Sequence, residues 1–243
     1  MDCHSGNRYV AFFDILGFKN WIASVGSKEV FNKATGHLNL VIKSSLPGAT
    51  VNADQSVNYE IRHINHFFFS DSILFYSIDD SYESLDAFIR TCAEFMNVMI
   101  FGLSLMIRGA VSKGEFYVDT KTRSYIGQAL IDAYMLEESL DWICVCFTKE
   151  ISDSNDFNLI RSRYSNLIYK SLHPTKNNPD FYPFAINYAN EDYIGVSRWS
   201  VSKILDDIYF KVEKQLSLHE KEFKKAVQRI ENTRLFFKSI NQD

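Results

Sequence analysis

Five consecutive apolar residues, Tyr9-Val10-Ala11-Phe12-Phe13, stop at Asp14, and Gly17 follows three positions on. A run without polar alternation suits a strand covered on both faces, so it demands packed layers above and below one sheet. The chain has 243 residues and is 46% hydrophobic, enough to supply those layers within one domain. Twenty Phe and thirteen Tyr against ten Gly and four Pro exclude a disordered or fibrous chain.

The net charge of −4 provides no broad basic surface for a nucleic-acid partner. Met1 to Arg8 contains no apolar signal region. The longest apolar stretch, Phe95 to Ile107, is broken by Asn97, Gly102 and Ser104 and is too short for a bilayer. No nucleic acid, no membrane and a cytoplasmic location are therefore expected. Cys3, Cys92, Cys144 and Cys146 form no CxxC pair. Cys144 and Cys146 share one face of an extended run, and buried free thiols explain them better than a zinc pair lacking further ligands.

The order of elements follows from periodicity and breakers. A strand stopping at Asp14 leads into helical stretches around Phe18, Trp21 and Ile22 and over residues 27–45, ended by Pro47-Gly48. Residues 58–69 and 73–78 read as two strands joined by a tight turn at Ser70-Asp71-Ser72. Asp80 and Glu83 form a capping-box start for a helix whose apolar positions run from Leu85 to Met99. Residues 105–119 are extended, 127–140 helical, 142–148 a strand, 155–172 a helix and 182–188 a late strand. This order predicts an α/β (α+β) sandwich with a mixed, mainly antiparallel sheet, a central hairpin and C-terminal helices.

The tail differs in kind, which divides the chain into 1–197 and a helical extension, 198–243. Leu216, Phe223, Val227, Ile230 and Phe237 recur as one apolar seam, while Lys221, Lys224, Lys225, Arg229, Arg234 and Lys238 occupy other faces. Such a helix packs on its own domain, on a dimer partner or, less suitably given Glu220, Glu222 and Glu231, on a membrane surface.

Two places carry chemistry. At Phe13-Asp14-Ile15-Leu16-Gly17-Phe18 a carboxylate ends a buried strand just before a helix start, whose free N–H groups suit phosphates. Many α/β folds contain that pattern alone. At Phe67-Phe68-Phe69-Ser70-Asp71-Ser72 an Asp sits at a hairpin tip, where Asp is also a common turn residue. If the hairpin lies beside the first strand, the two carboxylates converge, and their repulsion calls for cations between them. His63 and His66 stand three apart in a strand and face opposite sides, so they form no simple ligand pair.

Four segments in order then carry a resemblance: Phe12 to Phe18, Phe69 to Ser72, Ile107-Arg108-Gly109-Ala110-Val111-Ser112-Lys113-Gly114-Glu115, and Tyr125-Ile126-Gly127-Gln128-Ala129-Leu130-Ile131-Asp132-Ala133-Tyr134. Together they resemble the class III adenylate/guanylate cyclase catalytic domain, with its palm or ferredoxin-like core, over residues 8–148. The resemblance implies two metal ions per site, Mn²⁺ or Mg²⁺, on Asp14 and Asp71 and the carbonyl of Ile15. It also implies that the backbone of Leu16, Gly17 and Phe18 cradles the β- and γ-phosphates. Where purine cyclases carry base readers this chain has Phe67 and Ser124, and where they carry an Asn and an Arg it has Ile131 and Met135.

Metal carboxylates without purine readers are similar to the pyrimidine cyclases of the Pycsar antiphage system. That subgroup implies a ribonucleoside triphosphate substrate, UTP or CTP, and a cyclic UMP or cyclic CMP product. It also implies a homodimer with sites at the interface, activation by phage infection, and a separately encoded effector reached through the product. Arg108 is the candidate for the missing transition-state charge or for a base contact, with an ordinary salt bridge as the alternative. Tyr125 is a candidate to stack on the base, and Phe67 and Phe69 share strand parity with Asp71 and can floor the pocket. A purine cyclase or diguanylate-type synthase, and a non-catalytic nucleotide sensor, are the other classes the residues permit.

Overall fold

The computed structural model describes residues 3–44, 50–51, 57–58, 64–190, 201–216 and 220–240. Its main elements begin with β1 (Asn7–Leu16), α1 (Phe18–Val25), α2 (Ser27–Ser44), β2 (Ile64–Phe69), β3 (Ser72–Ser77) and α3 (Tyr82–Asn97). They continue with β4 (Met106–Glu115), β5 (Tyr117–Asp119), β6 (Ser124–Ile126), α4 (Gln128–Ser139) and β7 (Cys144–Phe147). The last are α5 (Lys149–Ser152), α6 (Asn155–Arg163), β8 (Ile168–Lys170), β9 (Phe184–Ile186), α7 (Val201–Leu216) and α8 (Glu220–Ile240).

Seven strands form one sheet in the order β8-β9-β7-β4-β1-β3-β2. Every neighbouring pair is antiparallel except β4 and β7, which are parallel and need the long crossover that α4 provides. β5, β6 and Cys3–His4 make a small second sheet. The expected mixed, mainly antiparallel sheet with helices is what the chain adopts, and it is the cyclase palm arrangement.

β1 is buried on both sides, as its unbroken apolar run requires. Tyr9, Ala11, Phe13 and Ile15 point toward α3 and join Leu85, Phe88, Cys92, Phe95 and Met96 in the larger core. Phe13 meets Phe75 and Phe95 edge-on, with ring centroids 5.4 and 4.8 Å apart. Gly109 stands opposite Phe13 on β4, and a Cβ there would collide with the Phe13 ring. Val10 points to the other face and packs with Leu74, Tyr76, Phe116 and Ala129 in a smaller core.

The C-terminal helices pack on the same chain. Ile204, Leu205, Ile208 and Val212 of α7 and Ala226, Ile230, Phe236 and Phe237 of α8 join the larger core. Ile143 N–H donates to Thr233 Oγ1 at 2.9 Å, and the Trp142 and Phe236 rings lie 4.6 Å apart. The expected boundary between 197 and 198 falls outside the described residues.

Several local expectations are corrected. β1 does not stop at Asp14; it pairs with β4 as far as Leu16, because backbone pairing continues until Gly17 turns left-handed. Ser81, not Asp80, caps α3, and its hydroxyl accepts from Ser84 N–H at 3.2 Å. Asp80 instead pairs with Lys113 at 3.0 Å. The helix expected over 155–172 ends at Arg163, and β8 follows, because Ile168–Lys170 find a partner strand in β9. The tail forms two helices, so Leu216 belongs to α7 and the α8 seam is Ala226, Ile230, Thr233 and Phe237. Cys92, Cys144 and Cys146 are free and buried. His63 lies outside the described residues. No described helix is long and apolar enough to cross a membrane.

Candidate active site

The end of β1 and the tip of the β2–β3 hairpin are bonded to each other. Asp14 pairs with Ser72 across the β1–β3 ladder, and Ile15 N–H donates to the Asp71 carbonyl at 2.9 Å. The hairpin turns tightly through Ser70, whose φ of 58° is left-handed. Both carboxylates therefore sit at one end of the sheet. Burial is the main cause that raises the Asp14 carboxyl above its ordinary range, and the charge of Asp71 adds to it. Arg108 and Arg229 pull in the opposite direction.

Gly17 closes this corner. It adopts φ 80°, ψ 17°, a conformation that costs a side-chain-bearing residue about 1 kcal/mol or more. Its carbonyl accepts from Asn20 and Trp21 N–H at 2.9 and 3.0 Å, so α1 begins directly beyond β1, which runs past Asp14 to Leu16. The first N–H groups of a helix lack intrahelical partners. Gly17, Phe18 and Lys19 carry those donors at the turn that follows β1. A divalent cation with oxygen ligands suits this donor set: two hard carboxylates whose mutual repulsion a cation relieves. Among the described residues no cluster of three or more His, Cys, Asp or Glu could hold a metal.

Arg108 stands directly opposite Asp14 in the β1–β4 ladder, on the same face. Of the two readings of Arg108, a charge offered to a ligand or an ordinary salt bridge, its contacts are those of the salt bridge. Nε of Arg108 bonds Glu137 and its Nη1 donates to the Leu140 carbonyl at 2.7 Å, leaving the side chain 8% exposed. It is a buried ion pair that neutralises the inner wall of the site. Burial pushes the Glu137 carboxyl up to about 7 despite the pull of Arg108, and Asp14 adds to that rise.

Phe67 and Tyr125 come together, with ring centroids 4.7 Å apart and an interplanar angle of 32°. Both pack against the smaller core on the face that carries Asp14. Phe69, one pair nearer the hairpin tip, is 69% exposed. Ser124 does not join the rings; its hydroxyl lies 2.9 Å from that of Thr122 in the β5–β6 turn. Ile131 and Met135 are more than half exposed on α4.

Sequence reasoning missed Glu137 and the charges behind it. Asp141, just past α4, pairs with Arg229 of α8 at 3.3 Å and with Lys176 at 3.5 Å. Glu137 was detectable: it falls four and eight residues after Ala133 and Ala129, on the core-facing stripe of α4, where an unpaired carboxylate would not survive. Lys176 and Arg229 carry no such signal, since only tertiary contact brings them to Asp141.

The fold is that of adenylyl and guanylyl cyclase catalytic domains. The adenylyl cyclase CyaB from P. aeruginosa superposes with a TM-score of 0.51 at 16% identity, covering 76% of this chain and 96% of that one. The catalytic core of a rhodopsin-guanylyl cyclase with converted specificity, in complex with ATPalphaS, gives 0.53 at 11% identity, covering 76% and 98%. No model of a protein family matches the sequence, and no curated protein matches it.

Proposed function

We propose that this protein is a metal-dependent nucleotide cyclase that converts UTP or CTP into the 3′,5′-cyclic monophosphate and pyrophosphate. One observation carries the reading: the bond from Ile15 N–H to the Asp71 carbonyl, which holds both carboxylates beside the Gly17 helix start. Two Mn²⁺ or Mg²⁺ ions held by Asp14, Asp71 and the Ile15 carbonyl would supply Lewis-acid activation of the ribose 3′-hydroxyl and neutralise the leaving pyrophosphate. The backbone N–H groups at Gly17 and Phe18 bind the β- and γ-phosphates, with Leu16 fixing the approach. This orients the α-phosphorus for in-line attack by the 3′-oxygen, which gives its proton to a water or a phosphate oxygen as the P–O bond to pyrophosphate breaks. Arg108 and Glu137 act as positioning residues: their buried pair fixes the wall beside Asp14.

Pyrimidine preference rests on the base side. Phe67 and Tyr125 offer a stacking surface, and Phe67 and Ser124 stand where the resemblance places the Lys and Asp that read a purine. A homodimer follows from α4, which turns Ile131, Tyr134 and Met135 outward at 54, 44 and 51% exposure. In an antiphage setting the product would reach a separately encoded effector, so no protein contact with that effector is required.

The test is incubation of the purified protein with each of the four ribonucleoside triphosphates and Mn²⁺, with products resolved by mass spectrometry. Cyclic UMP or cyclic CMP is expected, and Asp71→Ala should lower turnover on the order of 10²–10³-fold. A cyclic purine would keep the reaction and overturn the base preference. Equal turnover by Asp71→Ala would remove the two-carboxylate mechanism.

A further inference from the structure

A second cavity, separate from the face that carries Phe67 and Tyr125, lies behind the Gly17 turn. Its volume is about 490 Å³, within the range of small-molecule sites. Four parts of the chain enclose it: α1, α2 through Lys33, the connection from α3 to β4, and α7 of the C-terminal extension. The connection is unusual in itself. α3 runs on into a π-helical turn at Val98–Gly102, and Ser104 then takes a left-handed φ of 50°. Single π turns inside helices concentrate at functional sites.

The walls are mostly apolar, built from Trp21, Leu103, Leu105, Met106, Ile208 and Val212. The charged groups are all of one sign. Lys211 and Lys33 line the cavity, and no acidic residue does so among the described residues. Lys211 Nζ donates to the Leu103 carbonyl at 3.2 Å, which leaves two of its three N–H donors for another acceptor. Glu29 pairs with Lys33 at 3.3 Å from the next turn of α2, outside the lining. Burial lowers the Lys211 ammonium below its usual range; Asp207 opposes that shift and the charge of Lys33 adds to it. Glu29 already answers Lys33, so it is the remaining donors of Lys211, with the charge of Lys33 nearby, that suit one anionic head on an apolar body. A carboxylate brings a single negative charge to these donors, whereas a phosphate monoester would bring close to two into an apolar cavity.

We propose that this cavity binds an amphipathic carboxylate, its apolar body on Trp21 and Ile208 and its head at Lys211 and Lys33. The site is distinct from the cyclase centre and stands whether or not that reading holds. It shares Leu16 and Gly17 with the helix start, so an occupant touches the same turn.

Decanoate and its uncharged match, 1-decanol, are the probes, titrated calorimetrically into the full chain. One decanoate per chain is expected, with 1-decanol at least ten-fold weaker. Lys211→Met, which keeps the apolar stem, should weaken decanoate at least ten-fold. Ser24→Glu, which puts a carboxylate on the exposed rim of α1, should do the same. Urea midpoints near wild type establish that both variants fold. The proposal is overturned if decanoate does not bind, if decanol binds as tightly as the acid, or if Lys211→Met binds decanoate like wild type.

Discussion

The two faces of the central sheet are built differently. On the α3 side, Tyr9, Ala11, Phe13 and Ile15 meet a helix with twelve buried residues, eight of them apolar. On the α4 side the same strand presents Val10, Phe12 and Asp14, and the covering helix buries only Ala129, Ala133, Leu136, Glu137 and Ser139. The first face holds the fold together. The second gives up packing in order to hold charges, two aromatic rings and an uncovered apolar stripe. Where one strand must do both, the alternation of side chains separates the tasks residue by residue.

Paired truncations on the two faces break or confirm this contrast. Phe13→Ala opens a cavity between Phe75 and Phe95 and should cost about 3–5 kcal/mol in urea unfolding. Tyr134→Ala, which removes an edge contact with Phe12 from a ring 44% exposed, should cost less than about 1 kcal/mol. Equal losses would mean that the α4 face is as much a core as the other.

Gly109→Ala sharpens the point from the opposite strand. The added methyl meets the Phe13 ring, so overpacking should destabilise by about 1–3 kcal/mol. Combining it with Phe13→Leu should recover part of that loss, which a stability double-mutant cycle would read directly.

The buried pair on the α4 face predicts a pH dependence. Glu137 rises from 4.5 to about 7 in the folded protein, so the native state holds an extra proton across that interval. The stability contributed by the protonated form is full below the unfolded value and is lost as pH rises through the folded one. Wild-type stability should therefore decline between pH 4.5 and 7, and Glu137→Gln should flatten that slope. A wild-type slope of opposite sign in this interval would show that Arg108 overcomes the burial of Glu137.

The smallest effect on folding is expected at Met135. Met135→Glu changes an exposed side chain and should alter monomer stability by no more than about 0.5 kcal/mol. If α4 is the dimer face, the same change should shift the sedimentation profile toward monomer.

Much of this was legible in the chain itself. The unbroken run Tyr9 to Phe13 required a strand buried on both faces, and the hairpin Asp followed from turn chemistry at Ser70-Asp71-Ser72. Apolar pattern and turn residues act over a few neighbours, so periodicity exposes them. The capping of α3 was misplaced by one residue, because Asp79 accepts from both Ser81 and Ser84 and draws the cap to Ser81. The end of α6 was missed because pairing with β9 outweighs the weak helical preference of residues 164–172.

By itself, then, the sequence determined the central strand, the two aspartates at chain punctuation and the glycine that starts α1. Only the tertiary structure decided that the Asp71 carbonyl meets the Ile15 amide, that Arg108 turns inward to Glu137, and that α7 walls the lysine-rimmed cavity. The physical reason is range. Strand and turn propensities are local free energies written in adjacent residues. The partner of a buried charge is set by which distant segments pack together, here Arg108 with Glu137 and Asp141 with Arg229.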